Sequence, residues 1–191
     1  MGSTAMPLRA PRVVTYLIWI LLVVLAVGQP AAKGPAMAPS EVLGVHANAD
    51  HAGLQGKVYV ALGDSISAGR YATAPDDTFP GLVAEKLGMN LNLVARSGAK
   101  AGWGIPQLTA VHAAQPALVT IELGTNDVGF YTPTATFGAQ YETIVNAVSG
   151  PHTRVLCIGS WLPSSAIDAI IADTCQRHGG TFVSLNGFYQ V

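Results

Sequence analysis

Three short polar motifs interrupt the apolar segments of this 191-residue chain. Each one directly follows a run of residues that predicts a strand: the first ends at Ser65, the second contains Gly98, and the third contains Asn126. A serine hydroxyl just after a strand can act as a nucleophile. The backbone N–H groups of Ser65 and Gly98 and the side-chain amide of Asn126 can stabilise a developing oxyanion. These residue types in this pattern point to acyl transfer.

The elements that must position these motifs follow a regular alternation. From residue 57 onward, short β-rich runs alternate with helix-like segments, which predicts an α/β fold with a parallel sheet covered on both faces. In such sheets ligands bind at the carboxyl ends of the strands, where all three motifs lie. The predicted strands are residues 57–62, 91–94, 117–123, 154–158 and 181–185, and the predicted helices are residues 79–87, 105–114, 137–148 and 166–178.

The Gly-Asp-Ser motif at Ser65, the later Gly98 and the Gly-Thr-Asn-Asp motif around Asn126 together resemble the SGNH (GDSL-like) hydrolase family, over roughly residues 57–185. The resemblance implies a flavodoxin-like three-layer α/β/α sandwich with a five-stranded parallel sheet. It also implies an esterase or lipase that hydrolyses carboxylic esters, including acyl-carbohydrate or lipid esters. Ser65 would be the nucleophile, and Ser65, Gly98 and Asn126 would form the oxyanion hole.

The fourth motif of that family is an Asp-x-x-His near the carboxyl terminus, whose histidine is the general base. Residues 184–191 contain neither Asp nor His, and we expect the closing C-terminal helix to be absent too. The histidines that are present all precede predicted strands, at the sheet edge opposite Ser65: His46, His51, His112, His152 and His178. A five-residue strand spans about 17 Å, whereas a general base acts within about 3 Å.

Two interpretations of the missing motif are open. The sequence is an incomplete copy of a longer hydrolase, or it is a short form that keeps the cleft as a catalytically incomplete binding domain. We expect the first, and therefore an ester hydrolase fold whose activity in the sequence as written is very low. Substrate identity has no readable signature, because loops of variable sequence form the acyl and alcohol pockets.

The first 28 residues have the pattern of an export signal. Arg9 and Arg12 precede a nearly continuous apolar run at residues 13–27. The run is shorter than the roughly 20 residues of a spanning helix, which favours a cleaved signal peptide over a membrane anchor. Residues 29–56 predict a flexible linker, and residues 57–191 the hydrolase domain. We expect a secreted or extracytoplasmic protein, or a membrane-associated one if the segment is retained.

Composition limits the cofactors and partners. Ten Lys and Arg against 11 Asp and Glu give a formal net charge of −1, so we expect no nucleic acid partner, only a small-molecule ester. No glycine-rich phosphate loop and no Cys/His cluster with metal-ligand spacing is present, so we expect neither a cofactor nor a metal. Cys157 and Cys175 could pair in an exported protein, but we expect two buried free thiols.

Overall fold

The computed structural model describes residues 53–70 and 72–188. Its centre is a sheet of five parallel strands in the order β2-β1-β3-β4-β5. Each strand begins and ends within two residues of its predicted range, and the predicted five-stranded parallel sheet is confirmed. The strands are β1 (Val58–Gly63), β2 (Asn90–Ala95), β3 (Leu118–Glu122), β4 (Arg154–Ile158) and β5 (Thr181–Val183).

Helices connect these strands, and local capping explains where two of the helices begin. The Thr78 hydroxyl accepts the Gly81 N–H at the start of α1, and the Ser164 hydroxyl accepts the Ile167 N–H at the start of α6. The helices in the described ranges are α1 (Phe79–Leu87), α2 (Ala101–Gly104), α3 (Leu108–Ala113), α4 (Thr125–Gly129), α5 (Thr134–Val148) and α6 (Ser165–Arg177). Short 3-10 turns occur at Pro75–Asp77 and Ile105–Gln107.

The sheet separates two apolar cores because successive residues of a strand point to opposite faces. In β1, Val60 and Leu62 belong to one core, and Tyr59 and Ala61 belong to the other. Residues of α2, α3, α5 and α6 complete the first core, and residues of α1 contribute to the second. This arrangement confirms the predicted three-layer α/β/α fold.

Cys157 of β4 and Cys175 of α6 form a disulfide, so the expectation of two free thiols is wrong. Both residues are completely buried in the first core. Their Cα atoms lie 6.1 Å apart, a separation that a disulfide can bridge. The pairing results from the packing of α6 on β4, a tertiary contact that the sequence spacing of the two cysteines does not encode.

The N-terminal predictions fall largely outside the described residues. The proposed export segment, most of the linker, and His46 and His51 all lie there. Leu54, in the turn before β1, is buried in the second core, so core packing begins before the first strand. Within residues 53–70 and 72–188, no helix combines the length and apolar character that crossing a bilayer requires.

Candidate active site

The three predicted site residues lie at one edge of the sheet. Ser65 lies two residues after the end of β1, Gly98 follows β2, and Asn126 lies in α4, the helix that follows β3. Because β1 pairs in parallel with both β2 and β3, the carboxyl ends of these three strands are adjacent. The structure therefore brings the three motifs together, with Ser65 after β1, the middle one of these three strands.

Ser65 stands on a tight turn whose first residue has no room for a side chain. A Cβ added to Gly63 would lie 2.0 Å from the Ser67 Oγ and 2.6 Å from the Ser67 Cβ. The Arg70 N–H donates to the Ser65 carbonyl oxygen at 2.7 Å. The turn thus carries Ser65 on a backbone that is fixed before it and after it.

The Asn126 amide links the loops that carry the three motifs. Its Nδ2 atom donates to the Asp64 Oδ2 at 2.8 Å and to the Ala99 carbonyl oxygen at 2.9 Å. Asp64 precedes Ser65 in the chain, and Ala99 follows Gly98. The amide is therefore held between the turn that carries Ser65 and the loop that carries Gly98.

Glu122, the last residue of β3, is a buried carboxyl that sequence reasoning missed. Its Oε2 accepts hydrogen bonds from the Ser67 hydroxyl at 2.9 Å, the Ser67 N–H at 3.2 Å and the Asp64 N–H at 3.3 Å. Burial raises the pKa of Glu122 well above its ordinary value, and the charge of Asp64 raises it further. The available signal was a lone charged residue at the end of an apolar strand.

Asp64 is also buried, and its environment is electrostatically strained. Burial raises the pKa of this carboxyl, and the negative charge of Asp127 acts in the same direction. Hydrogen bonds from the Ile66 N–H, which reaches Asp64 Oδ1 at 2.8 Å, and then from the Glu122 and Ser65 side chains oppose that rise in pKa. The Asp64 carboxyl thus contacts both the nucleophile candidate and the Asn126 amide.

Asp127 connects the end of β3 to the loop that follows Gly98. Its Oδ2 accepts the Ala101 N–H at 2.9 Å, at the start of α2. Its Oδ1 is buried and has no hydrogen-bond partner within the described ranges. These contacts make Asp127 a support for the loop, in keeping with its position beside Asn126.

Gly98 adopts a backbone conformation that favours glycine, with φ of 78°. A Cβ added there would meet no atom within 4 Å, so the backbone borders open space at the edge of the sheet. A substrate oxygen can therefore approach this residue closely.

The sequence profile described as the GDSL-like Lipase/Acylhydrolase family matches residues 61–190, more than half of the chain. The chain belongs to the GDSL-like lipase/acylhydrolase family. No curated protein matches the chain significantly by sequence. The family assignment agrees with the order of the three motifs described above.

Solved structures show the same GDSL-like fold. The SGNH-hydrolase family esterase AlinE4 is 22% identical, with a TM-score of 0.58 over 68% of this chain and 76% of that one. The psychrotrophic esterase EstA from Pseudoalteromonas sp. is 19% identical, with a TM-score of 0.59 over 68% of this chain and 77% of that one. TesA is 24% identical, with a TM-score of 0.58 over 66% of this chain and 77% of that one.

The histidines that the structure describes in this GDSL-like chain lie away from the three motifs. His112 Nε2 hydrogen-bonds to the Ala147 carbonyl oxygen at 2.7 Å, and His152 lines the same shallow groove as His112. His178 Nε2 pairs with Glu142 Oε1 at 2.6 Å. Each of the three lies shortly before the start of a strand in the sequence, at the amino edge of the sheet. Within residues 53–70 and 72–188, no histidine stands at the carboxyl edge.

Cations and aromatic rings surround the carboxyl edge of this GDSL-like fold. The Arg96 guanidinium lies 5.0 Å from the centre of the Trp103 ring, and the Lys100 Nζ lies 5.2 Å from the centre of the Phe130 ring. Phe130 and Tyr131, which follow α4, are strongly exposed. A ligand that approaches Gly98 or Asn126 therefore meets both apolar and positively charged groups.

Proposed function

We propose that this chain is a serine hydrolase of carboxylic esters, of the acyl-carbohydrate or lipid type, that acts through an acyl-enzyme on Ser65. Membership of the GDSL-like family supports the hydrolysis of esters. One contact carries the residue assignment: the Asn126 amide lies 2.8 Å from the carboxylate of Asp64, the residue next to Ser65. That contact brings a side-chain N–H donor to the turn after β1 that carries Ser65.

In the proposed reaction the Ser65 Oγ attacks the ester carbonyl carbon and gives its proton to a general base. The carbonyl π electrons move to the oxygen, which becomes an oxyanion. When the tetrahedral intermediate collapses, the C–O bond to the alcohol breaks and the alcohol leaves with the proton from the base. Water then attacks the acyl-enzyme in the same way, releases the acid and restores the Ser65 hydroxyl.

The oxyanion would receive hydrogen bonds from the Ser65 N–H, the Gly98 N–H and the Asn126 side chain. One such donor typically stabilises the transition state by about 3 kcal/mol. Both bonds that the Asn126 Nδ2 makes in the structure go to protein oxygens, on Asp64 and Ala99. We propose that the bond to Ala99 is exchanged for the oxyanion, while the bond to Asp64 keeps the amide in place.

The general base of the proposed reaction is a histidine of an Asp-x-x-His block, a motif that the 191 residues do not contain. His112 and His178 support this proposal because their hydrogen bonds hold them at the opposite edge of the sheet. A chain that lacks such a base would hydrolyse esters very slowly. Residual catalysis of about 10³–10⁴ over water survives the loss of triad members in serine proteases, which sets the expected scale.

The same observation favours a second candidate, a binding domain that keeps the cleft and lacks the base. Such a domain would bind an ester or its acid product through Gly98 and Asn126 without turnover. The two candidates differ in one respect. A hydrolase gains activity when an Asp-x-x-His block is supplied, and a domain that only binds its ligand does not.

The disulfide supports the proposal that the protein is exported. Stable disulfides form in oxidising compartments and are rare in the reducing cytosol, and Cys157 and Cys175 are paired here. Together with the apolar segment at residues 13–27, this pairing favours a secreted or extracytoplasmic enzyme.

The test compares p-nitrophenyl acetate hydrolysis by the chain as written and by a chain extended with a family Asp-x-x-His segment. We expect slow turnover for the first and a rise of several orders of magnitude for the second, and Ser65→Ala should abolish that gain. Ser149→Ala is the matched control, because the Ser149 hydroxyl bonds only to the Val145 carbonyl oxygen, beyond the end of α5. Full turnover by the chain as written would show that the base assignment is wrong.

A further inference from the structure

Glu122 is a buried acid at the site that the proposed reaction does not use. Three donors converge on a single oxygen of its side chain: the Ser67 hydroxyl and the N–H groups of Ser67 and Asp64. Asp64 and Ser67 flank Ser65 and Ile66, so the Glu122 carboxyl binds the turn from Asp64 to Ser67 at both ends. It does so from β3, the strand that also leads to Asn126.

Burial of the Glu122 carboxyl costs folding free energy unless its hydrogen bonds compensate for it. Burying an acid in an apolar core is unfavourable, and an apolar residue at the end of β3 would avoid the penalty. The backbone at Gly63 packs tightly against both side chains, because a Cβ there would lie 3.1 Å from the Glu122 Oε2 and closer still to Ser67. The position of the turn is thus set by direct contact with this carboxyl.

We propose that Glu122 is a positioning residue for ester hydrolysis, which holds the turn from Asp64 to Ser67 so that the Ser65 hydroxyl and the Asn126 amide face one point. The proposal rests on the proposed function of Ser65. Glu122 acts through Asp64, whose N–H it binds and whose carboxylate holds the Asn126 amide. One side chain thereby aligns the nucleophile with an oxyanion donor.

The chemistry of the site indicates which substitutions separate this role from simple packing. The carboxyl groups of Asp64 and Asp127 lie nearby, and so does Tyr141 of α5, whose pKa is raised by burial and further by the charge of Glu122. Burial favours the neutral form of the Glu122 acid. Glutamine has the shape and the acceptor oxygen of that acid, so Glu122→Gln should retain the hydrogen bonds from Asp64 and Ser67. Glu122→Leu removes it at similar volume.

The first readout is hydrogen exchange by NMR, which needs no catalysis. In Glu122→Leu we expect the Ser67 N–H to exchange at least about tenfold faster and the Asn126 side-chain resonances to shift. In Glu122→Gln exchange should stay within about threefold of the parent. Tyr59→Phe is the matched control, because it removes a buried hydrogen bond to Thr120 between the same two strands. It should lower global stability and leave the Ser67 and Asn126 signals in place.

The second readout is the rate at which a fluorophosphonate labels Ser65 in the chain carrying the Asp-x-x-His segment. Misalignment of the nucleophile should slow labelling about ten- to a hundredfold in Glu122→Leu, and the Gln variant should restore it. If Glu122→Leu does not fold, Ser67→Ala removes one of the three donors and should show the same Asn126 shift. Equal labelling of the parent and Ser65→Ala would contradict the proposed function of Ser65 but would not bear on the positioning role of Glu122. Glu122→Leu that matches Tyr59→Phe in both readouts would overturn the positioning role.

Discussion

The Asn126 side chain donates to the Asp64 carboxylate across the gap between the ends of β3 and β1, with 2.8 Å between Nδ2 and Oδ2. Asp64 is buried, and Asn126 is partly buried at the edge of the sheet. The carboxylate therefore fixes the amide next to Ser65 before any ligand arrives. Such preorganised donors stabilise a transition state without reorganisation at the moment of reaction.

Asn126→Ala should slow Ser65-dependent ester hydrolysis about 10²- to 10³-fold, because one oxyanion donor is lost. The measurement is kcat for p-nitrophenyl acetate with the Asp-x-x-His segment present. Asn90→Ala is the matched control, since the Asn90 amide bonds to the Gly56 carbonyl oxygen at the amino end of β2. Equal rates for the two variants would remove Asn126 from the oxyanion hole.

Gly98→Ala should lower both stability and reactivity, whereas Gly179→Ala should lower only stability. Both glycines have positive φ, 78° and 74°, and a Cβ at either would meet no atom within 4 Å. The strain of a left-handed alanine is about 1 kcal/mol in each case. Only Gly98 lies at the carboxyl edge, so only its substitution should slow Ser65 labelling. Unfolding by urea and fluorophosphonate labelling separate the two effects.

Glu122→Gln should become more stable relative to the parent as the pH rises. The pKa of Glu122 is raised in the folded state, so its contribution to stability is fully present below the ordinary value of 4.5 and is lost as the pH rises through the folded pKa. Within that window the difference in unfolding free energy should grow by up to about 1.4 kcal/mol per pH unit. Asp127 and Tyr141 are common to both proteins, and the difference reports Glu122 together with the Asp64 carboxyl that hydrogen-bonds to it. A difference that is constant with pH would contradict the raised pKa.

Reduction of the disulfide should destabilise the folded chain by about 3 kcal/mol, the value for a closed loop of this size. The bond joins residues that are 18 positions apart in sequence. A double variant with alanine at Cys157 and Cys175 should unfold at the same urea concentration with and without reductant. A parent protein that is equally insensitive to reductant would show that the bond does not form in solution.

The mature protein recovered from outside the producing cell should begin after Gly28 or Ala38. The basic start, the short apolar run and the small residues that follow are typical of a cleaved export signal. N-terminal sequencing of the purified protein gives the answer. An intact Met1 on cytoplasmic material would contradict export, and an intact Met1 on membrane-bound material would favour the anchor.

The layers of the fold could be predicted because local patterns carry them. The helix α1 was predicted with its correct ends, since Thr78 caps it and Gly88 follows it in a left-handed conformation. The strand β2 gave a weaker signal because it is an edge strand that alternates apolar residues with exposed ones such as Asn90. The short helices α2 and α4 were missed, since segments of four and five residues show too little periodicity.

The contacts at the site depend on residues far apart in the chain, which limits what the sequence can reveal. The motifs placed Ser65, Gly98 and Asn126 at one edge by a rule of sheet topology. The hydrogen bond from Ser67 to Glu122 joins positions 55 residues apart, so no local sequence pattern predicts it. The same holds for the disulfide, whose formation depends on how α6 packs against β4.

The lack of space at Gly63 has an evolutionary consequence. A side chain there would collide with the Ser67 Cβ as well as the hydroxyl, so removing the hydroxyl alone does not make room. The two positions are therefore expected to change together within the family. Relatives that carry alanine or a larger residue in place of Gly63 should carry glycine in place of Ser67.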